Sequence, residues 1–272
     1  MPQSKVSSIK YFVLSIVFSF LILSVIAIIP AFAQESLEKA RADYSFQFSK
    51  YREIQKEYQS AKSQYESFKT ATSKNEAFLK TKDYQAQIDN LLIAYVLFVN
   101  EAGSKVNWQS NAPDRNKITE SFEAENSYFK DHREKVQKAQ TLEELPPLAK
   151  ELNEHLNKIT FLKIYRALSV YELTHVNSTF DNFNKIYNSL NEYISGKNSG
   201  QSNSVISNWQ SEMTSITMQA ETNFVRAQKK YSQIKQETAS KGEYQEISLY
   251  STKTSQELKK TKILFDEILR IL

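Results

Sequence analysis

The side chains that could do chemistry are few. Only three histidines occur, His132, His155 and His175, and there is no cysteine. Glu172 and His175 stand in the E-x-x-H spacing of the di-iron four-helix proteins. Such a centre needs a second E-x-x-H and two further glutamates on facing helices. Phe129 precedes His132 by three residues and Leu152 precedes His155 by three, so no second copy exists. His155 and His175 are separated by about 30 Å along one helix and lie on nearly opposite faces. No metal site, cofactor or catalytic residue is therefore expected. His155 and His132 instead occupy apolar stripes. They read as satisfied core positions, with Glu151 one turn before His155 as a candidate partner. Arg166, also on a stripe, requires an acid, because an unpaired buried charge is too costly.

Motif chemistry is equally sparse. The chain contains no G-x-x-x-x-G-K, G-x-G-x-x-G, G-x-S-x-G or H-E-x-x-H, and only four glycines. Phosphate cradles of backbone N–H groups need more. Asn177-Ser178-Thr179 fits a glycosylation sequon, but its mid-helix position makes it read as coincidence. Lys and Arg total 35 against 31 Asp and Glu, with no long like-charge run, which argues against nucleic-acid binding. Trp108, in an Asn-rich loop ending at Pro113, is the one candidate surface contact residue.

The elements that must carry these groups are helices. Among 272 residues only four Gly and five Pro occur. Pro2 and Pro30 apart, these breakers fall between helically periodic segments, where Gly would close a helix with positive φ and Pro would open one. Six helices are expected, at 36–73, 75–102, 114–140, 147–195, 204–240 and 243–272. Ser73 and Glu76 form a candidate capping box at the first boundary, which the helix could also run through; Thr141 and Glu144 form another. Tyr44, Tyr51, Tyr58 and Tyr65 recur every seven residues, with Ala40, Ile54, Ala61 and Phe68 filling the same face. Ile118, Phe122, Phe129 and Val136 repeat the pattern. The longest stripe runs through Leu148, Leu152, His155, Ile159, Leu162, Arg166, Ser169, Leu173, Val176, Phe180, Phe183, Tyr187, Leu190 and Ile194. Tyr244, Ile247, Leu258, Phe265, Ile268 and Leu272 mark the last helix. Met213, Ile216, Ala220 and Phe224 suggest an eleven-residue repeat and relaxed supercoiling. The fold class is all-α: an elongated antiparallel helical bundle with coiled-coil-like heptad seams and about six helices.

The first 33 residues read differently. Lys5 and Lys10 precede residues 11–29, which carry no charge, and Ala31-Phe32-Ala33 follows Pro30. A basic start, an apolar stretch and a small-x-small site make a secretory signal peptide, cleaved between Ala33 and Gln34. The competing reading is an uncleaved anchor, since about 20 apolar residues span a bilayer. Either reading places residues 34–272, a single helical-bundle domain, outside the cytoplasm. Leu91–Val99 is apolar on every side and is expected to pack against the similarly apolar 159–173. The alternative is a membrane-inserting element, although nine helical residues rise only about 13 Å.

Tyr51, Tyr58 and Tyr65, Phe68-Lys69-Thr70, and Tyr84 through Tyr95 resemble a group of uncharacterised bacterial exported helical-bundle proteins. The resemblance extends over most of residues 36–272 and implies no activity or site residues. The leading expectation is a non-catalytic exported or cell-envelope protein that binds a protein or cell-wall partner or acts as a spacer. The alternative is a membrane-active protein of the helical pore-forming type.

Overall fold

A computed structural model describes residues 31–108, 112–197, 204–234 and 239–271. The expected leader segment 11–29, Leu272 and the Gly200 loop lie outside the described residues, as do the side chains of Ala33 and Gln34. Of the described residues 94% are helical, without a strand, in six helices when the two segments joined through a π turn are counted as one. We label α1 Ala31–Phe68, α2 Ala71–Ser104, α3 Ala112–Lys138, α4 Leu145–His155, α5 Phe161–Lys197, α6 Ser204–Ser232 and α7 Lys241–Ile271. A π turn, Leu156–Thr160, joins α4 to α5 end to end. These two form the single fourth helix expected at 147–195, a path of about 80 Å.

Local chemistry explains the boundaries, not always as expected. The first break falls at Lys69, which adopts a φ of 50°, and Thr70. The capping box there is Thr70 with Ser73: the Ser73 N–H donates to Thr70 Oγ1, and the Thr70 N–H donates to Ser73 Oγ. Ser73 is thus the third helical residue, not the cap, and Ser73 with Glu76 makes no box. The Pro146–Pro147 pair sits in the first turn of α4. Gly103 and Gly196 lie inside helices, and no described glycine has positive φ. Gly103 serves a different need. A Cβ there would fall 2.2 Å from the Tyr171 ring, so its lack of a side chain admits that ring.

The tyrosine row of α1 is the α1–α2 seam. Tyr51 and Tyr84 share a hydroxyl–hydroxyl hydrogen bond of 3.1 Å, Tyr58 stacks on Tyr84, and Tyr44 packs on Tyr95 and Phe98. Phe68, assigned to that seam, instead lies exposed at the helix end. Leu92, Tyr95, Val96 and Val99 of α2 meet Ile118, Phe122 and Phe129 of α3, and Ile164, Leu168 and Tyr171 of α5. Each such side chain contributes about 1.5–3 kcal/mol before chain entropy is subtracted. Leu97 is the exception within its run, 41% exposed.

Beyond this core, the C-terminal half of α5 continues as a rod with α6 and α7. Its interior is a row of small clusters: Leu173, Val176, Phe224 and Ile247; then Phe183, Ala220 and Leu258; then Leu190, Ile194, Ile206, Met213 and Ile268. Ile206, Met213, Ala220 and Ala227 are all buried at seven-residue spacing. Ile216 is half-buried and Phe224 buried, so the expected Met213, Ile216, Ala220 and Phe224 face inward together with this heptad row. The long stripe holds at Leu152 and His155 on α4 and from Ser169 onward on α5, and departs between them, at Ile159, Leu162 and Arg166. The π turn inserts one residue, so Leu156, Thr160 and Ile164 turn inward and Ile159 turns out.

Candidate functional site

The interior of the N-terminal bundle holds a polar network around the π turn. On α3 the inward positions run Ile118, Phe122, Glu125, Phe129, His132 and Val136, so an acid and an imidazole occupy seam positions. Glu125, 2% exposed, receives Lys163 Nζ at 2.7 Å on one oxygen and both His155 Nε2, at 2.9 Å, and the Thr160 hydroxyl on the other. The three donors lie at or beside the π turn: His155 just before it, Thr160 at its last residue, and Lys163 in the first turn of α5. Burial raises the Glu125 carboxyl, but the donors from Lys163, Thr160 and His155 outweigh it and hold it below its ordinary value.

The second pair is deeper. His132 Nδ1 lies 2.9 Å from Asp89 Oδ2, and its Nε2 donates to the Leu148 carbonyl at 3.0 Å. Both side chains are fully buried. A carbonyl can only accept, so Nε2 carries a proton, and one further proton is held between Nδ1 and Asp89. Burial pushes the imidazole down. Its bonds to Asp89 and Leu148 outweigh that and raise it above its ordinary value. Burial raises the Asp89 carboxyl too, with His132 and Arg133 drawing it partly back. Tyr128 stacks on His155 at 3.5 Å.

The sequence-derived candidates are dispersed by this arrangement. His155 pairs with Glu125 on α3; Glu151 is instead bound to Lys135. Arg166 pairs with Asp114 at 3.6 Å, supplying the acid its position required. Glu172 faces α7, where Tyr244 and Ser248 each donate to it at 3.0 Å, while His175 is exposed, so the E-x-x-H residues do not converge. Among the described residues no three His, Asp or Glu converge as metal ligands. Trp108 is half-buried. Its indole N–H donates to the Gly103 carbonyl at 2.9 Å, and its ring meets the Tyr171 edge. Glu125, Asp89, Thr160 and Lys163 were missed; the available signal was a charged residue at a seam position.

A recess opens where the N-terminal bundle meets the rod. It has a volume of about 340 Å³. Its floor is Val170, Leu173 and Phe224, and its polar lining includes Thr174, Asn177 and Gln228. This size lies at the low end for small-molecule pockets, about 300–1,000 Å³. Among the described residues no nucleophile–base pair lines it.

Compared with known proteins, the chain matches no family model, no curated protein and no solved structure.

Proposed function

We propose that this chain is a non-catalytic exported or cell-envelope protein that acts by binding. In this reading the N-terminal bundle is a rigid base, the rod is a spacer, and the junction recess is where a partner is engaged. The recess carries the reading, because it offers open, largely uncharged hydrogen-bonding groups over an apolar floor. The strongest acid–base groups support it from the other side. Both nitrogens of His132 and both oxygens of Glu125 are taken up by neighbouring helices, and both residues are out of solvent reach. Export rests on Lys5, Lys10, the uncharged 11–29 and the Ala31-Phe32-Ala33 site.

Fractionation of native cells, with intact-mass measurement, tests export: a mature chain beginning at Gln34 is expected outside the cytoplasm. Co-sedimentation of the purified chain with isolated envelope material tests binding. A cytoplasmic full-length protein that does not sediment with envelopes overturns the proposal.

A further inference from the structure

We infer that the junction recess binds a small neutral saccharide, an assignment that rests on the binding reading above and gives its ligand a chemical class. Three elements build the wall: Asn107 just after α2, Asp114 in the first turn of α3, and Thr174, Asn177 and Ser178 on α5. Gln228 and Tyr231 of α6 complete it.

The hydrogen-bonding capacity left over is specific. Thr174 is 7% exposed, and its Oγ1 has no partner among the described residues. A buried hydroxyl without a partner costs about 1–3 kcal/mol, so a group that reaches it gains more than at an exposed site. Asn107 Nδ2 donates to Ser178 Oγ at 3.1 Å, and Asn177 Nδ2 donates to Asp181 at 3.1 Å. Each bond uses one amide donor and leaves the amide oxygen to accept. Gln228 adds an amide with both functions. Asn107 and Asn177 each keep a second N–H as well, so the lining presents both donors and acceptors, beside one hydroxyl that can do either.

Charge narrows the class. Among the described residues Asp114 is the one carboxylate in the lining, and Arg166 neutralises it at 3.6 Å while also contacting the Tyr231 hydroxyl. A net-neutral site gives no advantage to a cation or an anion. The ligand must carry groups that both donate and accept, be uncharged, and be able to rest a C–H face on Val170, Leu173 and Phe224. A sugar ring has that amphipathic form, with hydroxyls around its rim. The sequon-like Asn177-Ser178 thus acquires a role as part of the wall.

The test is titration of the purified chain with maltose and with the disaccharide of N-acetylglucosamine, read by amide resonances of Asn-, Gln- and Thr-labelled protein. Saturable shifts at Asn107, Thr174, Asn177 and Gln228 are expected. Thr174→Val and Gln228→Ala should each weaken binding by roughly tenfold. Gln228 is exposed, so its variant keeps the test valid even if Thr174→Val folds poorly. Shifts confined to other residues, affinity unchanged in Gln228→Ala, or no response to either disaccharide overturns the assignment. Spermidine binding in their place overturns its neutrality. If the saccharides fail while envelope co-sedimentation persists, only the ligand class falls; loss of both removes the binding reading as well.

Discussion

The Tyr171 ring lies so close to Gly103 that a Cβ on residue 103 would sit 2.2 Å from the ring carbon Cζ. That approach locks the end of α2 to α5 beneath Trp108, whose indole N–H is held by the Gly103 carbonyl. Gly103→Ala should therefore destabilise the fold by about 1–3 kcal/mol through overpacking. Gly242→Ala is the control. Its Cβ would meet only the Ser240 hydroxyl, at 4.0 Å, and helix propensity favours alanine by about 0.8–1 kcal/mol at most. Urea denaturation of both variants checks the contrast; equal effects would refute the close packing.

Glu125 predicts the acid limb of stability. Its folded carboxyl titrates below its ordinary value, so it adds stability above about pH 4.5, and that stability is lost as pH falls through the folded value. Glu125→Gln removes the charge that Lys163 and His155 face. A cost of about 1.5–3 kcal/mol is expected at neutral pH, with a flatter acid limb. Denaturation midpoints from pH 3 to pH 7, as an approximate working range, measure both.

Asp89 and His132 predict the alkaline limb. Both are raised in the fold, so the pair keeps its proton to higher pH than the unfolded chain does. Its contribution is complete below the unfolded values and declines as pH rises through the folded ones. For the imidazole the decline therefore begins above about pH 6.5. Asp89→Asn should remove this dependence, because a neutral His132 can accept from the asparagine amide while still donating to Leu148. An alkaline limb with the wild-type slope in Asp89→Asn would show that another group is responsible.

Ala94 separates the binding reading from the pore-forming alternative. It is 2% exposed within a run whose Leu92, Tyr95, Val96 and Val99 pack in the principal core. Ala94→Asp places an unpaired carboxylate there and should prevent stable folding. Circular dichroism melts and liposome flotation read the result. A folded variant that has lost lipid binding would favour the membrane-active reading instead.

Helical class and most seam positions were legible from local pattern. Apolar residues at steps of three and four, with few breakers, leave little but long helices, and Ile118, Phe122, Phe129 and Val136 are all buried as their spacing required. The need of Arg166 for an acid was also legible, because the cost of a buried charge is independent of which partner meets it. The partner itself was not. Glu151 is near His155 along the helix, but Glu125 is near it in space, and only packing of α3 against the π turn chooses between them. One inserted residue rotates every side chain before it relative to those after it, so the π turn moved Ile159 outward and Thr160 inward despite an unbroken periodicity. Gly103 misled for a related reason. Its composition suggests a turn, whereas its role is set by a ring sixty-eight positions away in the chain. The recess is likewise a product of assembly. Thr174 and Gln228 carry no motif, and they become neighbours of one space only where the bundle gives way to the rod.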